Sequence, residues 1–228
     1  ESFDEYIRRL PAHTAADALG HRADWYRNFL FKSADNPRAG LDALFGLCNL
    51  ITQGDPPESV RAALFTASGT ALNKRGGGIR PICATGVLRK LAAGALLHQH
   101  KAQIVERLEE AYQFGASRDG NVKVVHAIKA LLEADPSLAV FKMDVMNAFN
   151  SISRDAILDG LRTVCPELIP FFLDIYARTN QIIFGRDDFI PYGEGLQQGC
   201  TFGSICYCVG VLATIHKVRD RFCADEHG

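Results

Sequence analysis

Apolar positions along this chain recur mostly at helical spacing, interrupted by a few short stretches of β character. Leu41, Leu44, Phe45, Leu47, Cys48 and Ile51 share one face of a helix expected over residues 41–50. A second helix is expected over 57–67, with Asp55 near its start and Pro57 at an early helical position as N-terminal signals. Gly76-Gly77-Gly78 lies between Leu72-Asn73 and Ile79-Arg80-Pro81-Ile82, which predicts a hairpin with a glycine turn. A long helix follows over 87–108, with Leu88, Leu91, Ala95, Leu96 and Ile104 in near-helical register.

After a loop at Gln113-Phe114-Gly115, the pattern predicts a helix over 122–133 ended by Asp135-Pro136, then an apolar strand over 138–143 that delivers Asp144. Ser153 is an N-cap candidate for a helix over 155–164, and residues 166–177 form another. Two short strands, 181–184 and 189–192, pair around Gly185-Arg186-Asp187-Asp188, and a last helix runs over 201–222. Runs of helix with hairpins interposed, and no regular alternation of strand and helix, indicate α+β and not a doubly wound sheet.

Composition narrows the class. With 228 residues the chain can bury a real core, and 47% hydrophobic with 22% charged residues is ordinary for a soluble globular protein. No apolar run approaches the length needed to span a bilayer, and Asp4, Glu5, Arg8 and Arg9 leave no signal-peptide core, so an intracellular protein of nucleus or cytoplasm, not a secreted one, is expected. The seven cysteines contain no CxxC pair, which supports neither a zinc knuckle nor a disulfide framework. His98 and His100, two apart on a helix, point in different directions and make poor joint metal ligands.

The net charge of −1 does not announce a nucleic-acid partner, but its distribution does. From Lys74 to Arg107 seven basic residues stand against Glu106 alone, the local excess that phosphate contacts require.

Four segments carry candidate chemistry. The hairpin offers Lys74 as a point charge and Arg80 as a planar fork to phosphate oxygens. It is not a P-loop, because the lysine precedes the glycines and no Gly-Lys-Ser/Thr follows. Asp144, with the carbonyl of Val145 and the amides of Asn147 and Ala148, offers hard oxygen and backbone groups to a cation and phosphate, and Phe149 is a ring five residues on. Gln198-Gly199 precedes the last helix, with a side-chain amide for hydrogen bonding and a glycine for close backbone approach. Gln113, Phe114 and Arg118 form a loop that could touch a polymer strand, as could Arg75.

Taken in order, Arg80-Pro81-Ile82, Leu88-Arg89-Lys90-Leu91, Gln113-Phe114-Gly115, Asp144 to Phe149 and Gln198-Gly199 resemble the reverse transcriptase family. The stretches from Gly40 to Gly54 and from Val60 to Lys74 look most like non-LTR, LINE-type retroelement polymerases. The resemblance covers about residues 40–222 and implies a right-hand polymerase: an N-terminal helical extension over 1–40, a fingers-like region over 41–137 and a partial palm over 138–228. It implies copying of an RNA template from a DNA primer with deoxynucleoside triphosphates and two Mg²⁺ ions, with Mn²⁺ as a substitute. By matched position Asp144 is the catalytic metal ligand, joined by Val145. Lys74, Arg80, Asn147, Ala148, Phe149, Gln198 and Gly199 contact the nucleotide, with Phe149 as its sugar gate, and Arg75, Gln113, Phe114 and Arg118 contact template or primer.

Two departures follow. Cys200-Thr201-Phe202-Gly203 replaces the Asp-Pro-Leu-type residues usual after Gln-Gly. The family's second, aspartate-bearing motif is expected beyond the last helix, since Cys223-Ala224-Asp225-Glu226 follows that helix at once and reads as a polar loop. The isolated chain is therefore expected not to polymerise. A non-enzymatic RNA-binding or maturase-like module is the alternative, and an RNA-dependent RNA polymerase a weaker one, because Phe149 would obstruct a 2′-hydroxyl.

Overall fold

The computed structural model describes residues 3–14, 16–17, 19–31, 36, 38–54, 56–74, 76–185 and 188–223. The chain opens with helix α1 (Phe3–Arg8) and a 3-10 segment (Ala23–Leu30), then α2 (Ala39–Thr52) and α3 (Glu58–Phe65). Strands β1 (Ala67–Asn73) and β2 (Ile79–Thr85) form the expected hairpin, closed by the Lys74 amide donating to the Gly78 carbonyl at 2.9 Å. Helices α4 (Val87–Glu110) and α5 (Gly120–Ala134) precede the short α6 (Ala148–Ser151). Next come α7 (Arg154–Val164), a 3-10 turn (Pro166–Leu168), α8 (Ile169–Tyr176), β3 (Asn180–Phe184), β4 (Asp188–Tyr192), α9 (Gly203–Gly210) and α10 (Leu212–Cys223).

The four strands form one sheet in the order β2-β1-β3-β4. The two hairpins are antiparallel, and β1 meets β3 in parallel through Ala67 opposite Ile182 and Ser68 opposite Ile183. Ala67, Cys83 and Ile182 fill the sheet's small apolar centre. The main core is helical and runs from Ile7 to Leu212, with Leu91, Ile104, Leu161, Phe171 and Phe202 fully enclosed. The architecture is helix-rich α+β with a small sheet, as the period of the apolar positions indicates.

Local signals account for the boundaries. Ser153 caps α7, its hydroxyl accepting from the Ala156 amide at 3.2 Å. Gly86, at the start of α4, has no side chain to cap with, and Asp17 substitutes from 70 residues away by accepting from the Val87 amide at 2.7 Å. A carboxylate at that end also meets the positive pole of the helix. Buried Arg61 and Asp174 tie α3 to α8, Nη2 donating to Oδ1 at 3.0 Å and Nη1 to the Asp174 carbonyl at 3.2 Å.

Two expectations change. Residues 138–143 are not a strand: the segment has no regular structure and is exposed throughout, with Phe141 at 85% and Met143 at 71%. A strand requires a neighbour to complete its ladder of hydrogen bonds, and among the described residues the four strands pair only with one another. The last helix is two, because the backbone tightens at Val211 between α9 and α10. There α9 presses on α7 so closely that a Cβ at Gly210 would meet Ile152 and Ile157 at 2.7 Å. Asp55, Arg75, Arg186 and Asp187, each named from the sequence, lie outside the described residues.

Candidate functional site

The segment after Asp144 turns sharply. Asn147 adopts the left-handed region (φ 54°), a conformation a short polar side chain tolerates, and its carbonyl accepts from the Asn150 and Ser151 amides at 2.8 and 3.1 Å. That turn starts α6 and sends the Phe149 ring inward, where it stacks on Tyr207 of α9 with centroids 5.2 Å apart and planes at 21°. The Phe149 carbonyl accepts from the Leu196 amide at 2.6 Å, so the residue is held by backbone and by ring.

The glutamine turn is fixed from three sides. Gly195 (φ 59°) lies so close to the Phe149 and Asn150 carbonyls that a side chain there would collide with backbone. Arg154 donates to the carbonyls of Gly195 at 3.0 Å and Tyr176 at 2.7 Å, while its guanidinium sits over the Tyr176 and Tyr192 rings. On the far side the Cys83 amide of β2 donates to the Gln198 carbonyl at 2.7 Å. Gly199 (φ 106°) makes that approach feasible, since a Cβ would fall 2.5 Å from the Cys83 carbonyl oxygen.

The hairpin completes the enclosure. Lys74 and Arg80 stand on its two arms, and the Lys74 ammonium donates to the Asn147 side-chain oxygen at 3.4 Å. Together these elements enclose a cavity of about 510 Å³ lined by Lys74, Arg80, Pro81, Asp144, Val145, Met146, Asn147, Ala148, Phe149, Asn150 and Gln198. That volume falls within the usual range of small-ligand sites, roughly 300–1,000 Å³. Cationic groups line one part and an exposed carboxylate another, so the cavity can take an anionic ligand and a hard cation together.

Eight residues singled out from the sequence therefore meet in one place: Lys74, Arg80, Asp144, Val145, Asn147, Ala148, Phe149 and Gln198. Gly199 sits beside the cavity and supports the turn without lining it. Gln113, Phe114 and Arg118 belong to the α4–α5 loop and are not among the lining residues. There Gln113 accepts from the Gly115 amide at 2.8 Å, and the Arg118 side chain is almost fully exposed. Arg75 is outside the described residues.

Sequence reading gave no site role to Pro81, Met146 and Asn150, which line the cavity beside residues to which it did give one. Nor did it give a role to Gln197, the neighbour of Gln198 in that turn, which is buried at 1% exposure and accepts from Arg89 at 2.8 Å. The basic stretch from Lys74 to Arg107 is not a continuous face. Arg89 is interior, and Arg107 is committed to the Thr163 and Val164 carbonyls at 2.6 and 3.0 Å.

Donors suited to a metal ion line the cavity, and a further cluster of them lies elsewhere among the described residues. At the cavity, Asp144 and the Val145 carbonyl are hard oxygen donors, suited to Mg²⁺, which is commonly held by one or two carboxylates and substrate phosphates. Elsewhere His100, Cys165 and Glu167 bring ligand atoms within 4.8 Å of one another. Within that group the Cys165 thiol donates to Glu167 at 3.3 Å, and burial foremost, then this bond, pushes the thiol up to about 12.

No helix among the described residues is long and apolar enough to cross a membrane. No protein-family model matches the chain. A solved structure, that of apo telomerase from Candida tropicalis truncated from the C-terminal domain, aligns with 84% of this chain and 46% of that one, at 12% identity and a TM-score of 0.46. The 132 kDa protein of the retrotransposable element SLACS, from Trypanosoma brucei gambiense, is 27% identical over 211 residues. The chain thus resembles, over 87% of its own length, a region amounting to 17% of a retrotransposable-element protein.

Proposed function

We propose that this chain is the fingers and part of the palm of a non-LTR, LINE-type retroelement reverse transcriptase, an RNA-directed DNA polymerase. It would join deoxynucleoside triphosphates to a primer on an RNA template. The observation that carries the reading is the convergence of Lys74 and Arg80, from one hairpin, on Asp144, Asn147, Phe149 and Gln198 from distant parts of the chain. Similarity to a retrotransposable-element protein over most of the chain supports it.

Each residue then has a chemical task. Lys74 and Arg80 neutralise the triphosphate, Arg80 through its planar fork. The amides of Asn147 and Ala148 are available to phosphate oxygens. Phe149, backed by Tyr207, cannot retreat, so its ring walls the sugar pocket and obstructs a 2′-hydroxyl. Gln198, on a turn pinned to β2, offers its amide to the nucleotide or its template partner. Asp144 and the Val145 carbonyl would hold Mg²⁺, which when bound neutralises phosphate charge and lowers the pKa of an attacking hydroxyl.

Among the described residues, Asp144 is the one acid lining the cavity. A two-metal centre needs more carboxylates, so the 228-residue chain is read as a binding unit that does not extend a primer alone. The same observation favours the second reading, an RNA-binding or maturase-like module with this fold. An RNA-dependent RNA polymerase fits less well, because a sugar gated by the Phe149 ring would find no room for a ribose hydroxyl.

The test is calorimetric titration of the chain with Mg²⁺–dATP, alongside Asp144→Asn and Arg80→Ala, and filter binding to an RNA–DNA primer–template across salt concentrations. Binding weakened by either substitution, with affinity for the primer–template falling steeply as salt rises, supports the reading. Affinity untouched by both substitutions sinks the nucleotide site. Primer extension by the chain alone would overturn its reading as a binding unit.

A further inference from the structure

We propose that Arg89 and Cys200 form a buried guanidinium–thiolate pair that positions the glutamine turn, with the cysteine supplying the negative charge. Arg89, on α4, is 1% exposed, and a guanidinium does not give up its proton in a protein. A charge taken so far from water requires a counter-charge or a full set of hydrogen bonds. Its Nη1 donates to the Gln197 side chain at 2.8 Å and, at 3.5 Å, to the Phe65 carbonyl, and its Nη2 meets the Cys200 sulfur at 3.2 Å. The groups able to become anions that act most strongly on Arg89 are Cys200, Tyr176 and Cys83, and none of these three is a carboxylate.

The choice among those three follows from chemistry and contact. Cys200 touches the guanidinium directly, and a thiol ionises more readily than a phenol. The groups facing Cys200 are Arg89 from α4, Tyr176 from α8, Cys206 from α9, Cys83 from β2 and Tyr192 from β4, and Arg89 alone among them is a cation. Burial pushes the Cys200 thiol up, but the adjacent Arg89 together with hydrogen bonding brings it below its ordinary value. Burial moves Cys48, Cys83, Cys165, Cys206 and Cys208 the other way.

The pair has a mechanical consequence. Arg89 holds Gln197 with one nitrogen and Cys200 with the other, gripping both ends of the dipeptide Gln198-Gly199. The Cys200 amide closes the same turn by donating to the Gln197 carbonyl at 3.1 Å. Gln198 is thereby presented to the cavity from a rigid base. The pair itself is independent of what the cavity binds; its effect on a ligand rests on the nucleotide reading above.

Thiolate absorbs in the ultraviolet where thiol does not, so a pH titration of the native chain counts ionised cysteines. In a Cys223→Ser background, one thiolate per chain is expected at neutral pH, lost in Cys200→Ser and kept in Cys83→Ser. No thiolate at neutral pH in the native chain, or one that persists in Cys200→Ser, overturns the pair, and the first of these needs no folded variant. For positioning, Mg²⁺–dATP affinity should fall about tenfold in Cys200→Ser and return in Cys200→Asp, which restores an anion. Equal loss in both variants overturns the positioning role. A Cys200-dependent thiolate in a chain that binds no nucleotide supports the pair and sinks the nucleotide reading instead.

Discussion

The Lys74 ammonium donates to the Asn147 side-chain oxygen at 3.4 Å, joining a hairpin arm to the left-handed residue that starts α6, 73 positions later. The two residues line the same cavity, so a cation that would meet a phosphate is already oriented before any ligand arrives. Preorganisation of this kind lowers the ordering cost of binding. Replacing Lys74 by Met should weaken Mg²⁺–dATP binding about tenfold, on the order of 1.4 kcal/mol. Calorimetry checks it, and unchanged affinity would remove Lys74 from the phosphate site.

Phe149 is half inside the core and half in the cavity wall, so its removal has two separable effects. Loss of the stack on Tyr207 should lower stability by about 0.5–1.5 kcal/mol beyond the area exposed. In Phe149→Ala the preference for dATP over ATP should also shrink toward parity. Competition between the two nucleotides measures this, and a preserved ratio would deny the ring its steric role.

The ion pair between Arg61 and Asp174 is stabilising only as a pair. Asp174→Ala leaves a guanidinium at 6% exposure without that carboxylate, and the expected loss is about 3–5 kcal/mol. The double variant Arg61→Met with Asp174→Leu should recover much of it, because well-packed apolar residues avoid the desolvation cost. Urea unfolding of the single and double variants decides; a double variant no better than the single would mean that the two sites pack in ways the charge pair does not explain.

Alkaline pH should destabilise the chain through its buried thiols. Burial pushes the Cys48 thiol up to about 12, against about 8.5 in an unfolded chain. A raised folded value means the native state holds its proton longer, so this contribution is whole below about pH 8.5 and is lost as pH climbs toward 12. One such thiol gives a slope of about 1.4 kcal/mol per pH unit. Unfolding measured from neutral to strongly alkaline pH should show the decline, and Cys48→Ala should decline less steeply from a lower start. Parallel curves would show that other groups titrate instead.

Features set by neighbours in the chain were legible in the sequence. Helical spacing found α2, α4 and α7, three glycines found the β1–β2 hairpin, and Ser153 found its cap. The eight residues that meet in the cavity were legible through motif order, not through anything periodic. Features set by distant partners were hidden. The apolar run at 138–143 signals a demand for burial but cannot say whether another strand meets it. Summed charge over 74–107 treats Arg89 and Arg80 alike, although one is sealed in the core and the other faces the cavity. Nothing in the spacing distinguishes Gln197, turned inward to Arg89, from Gln198, turned toward the ligand space.

The amide-to-carbonyl link from Cys83 to Gln198 also limits how the hairpin can bend. Its outer strand is fastened to the glutamine segment at the base, so a swing of the whole hairpin would drag Gln198 along. The tip is built of Gly76, Gly77 and Gly78, all at positive φ and without side chains, the residue type whose backbone has the widest choice of conformation. A clamp over the triphosphate would therefore flex at its fingertip, while its knuckle keeps roof and floor in fixed register.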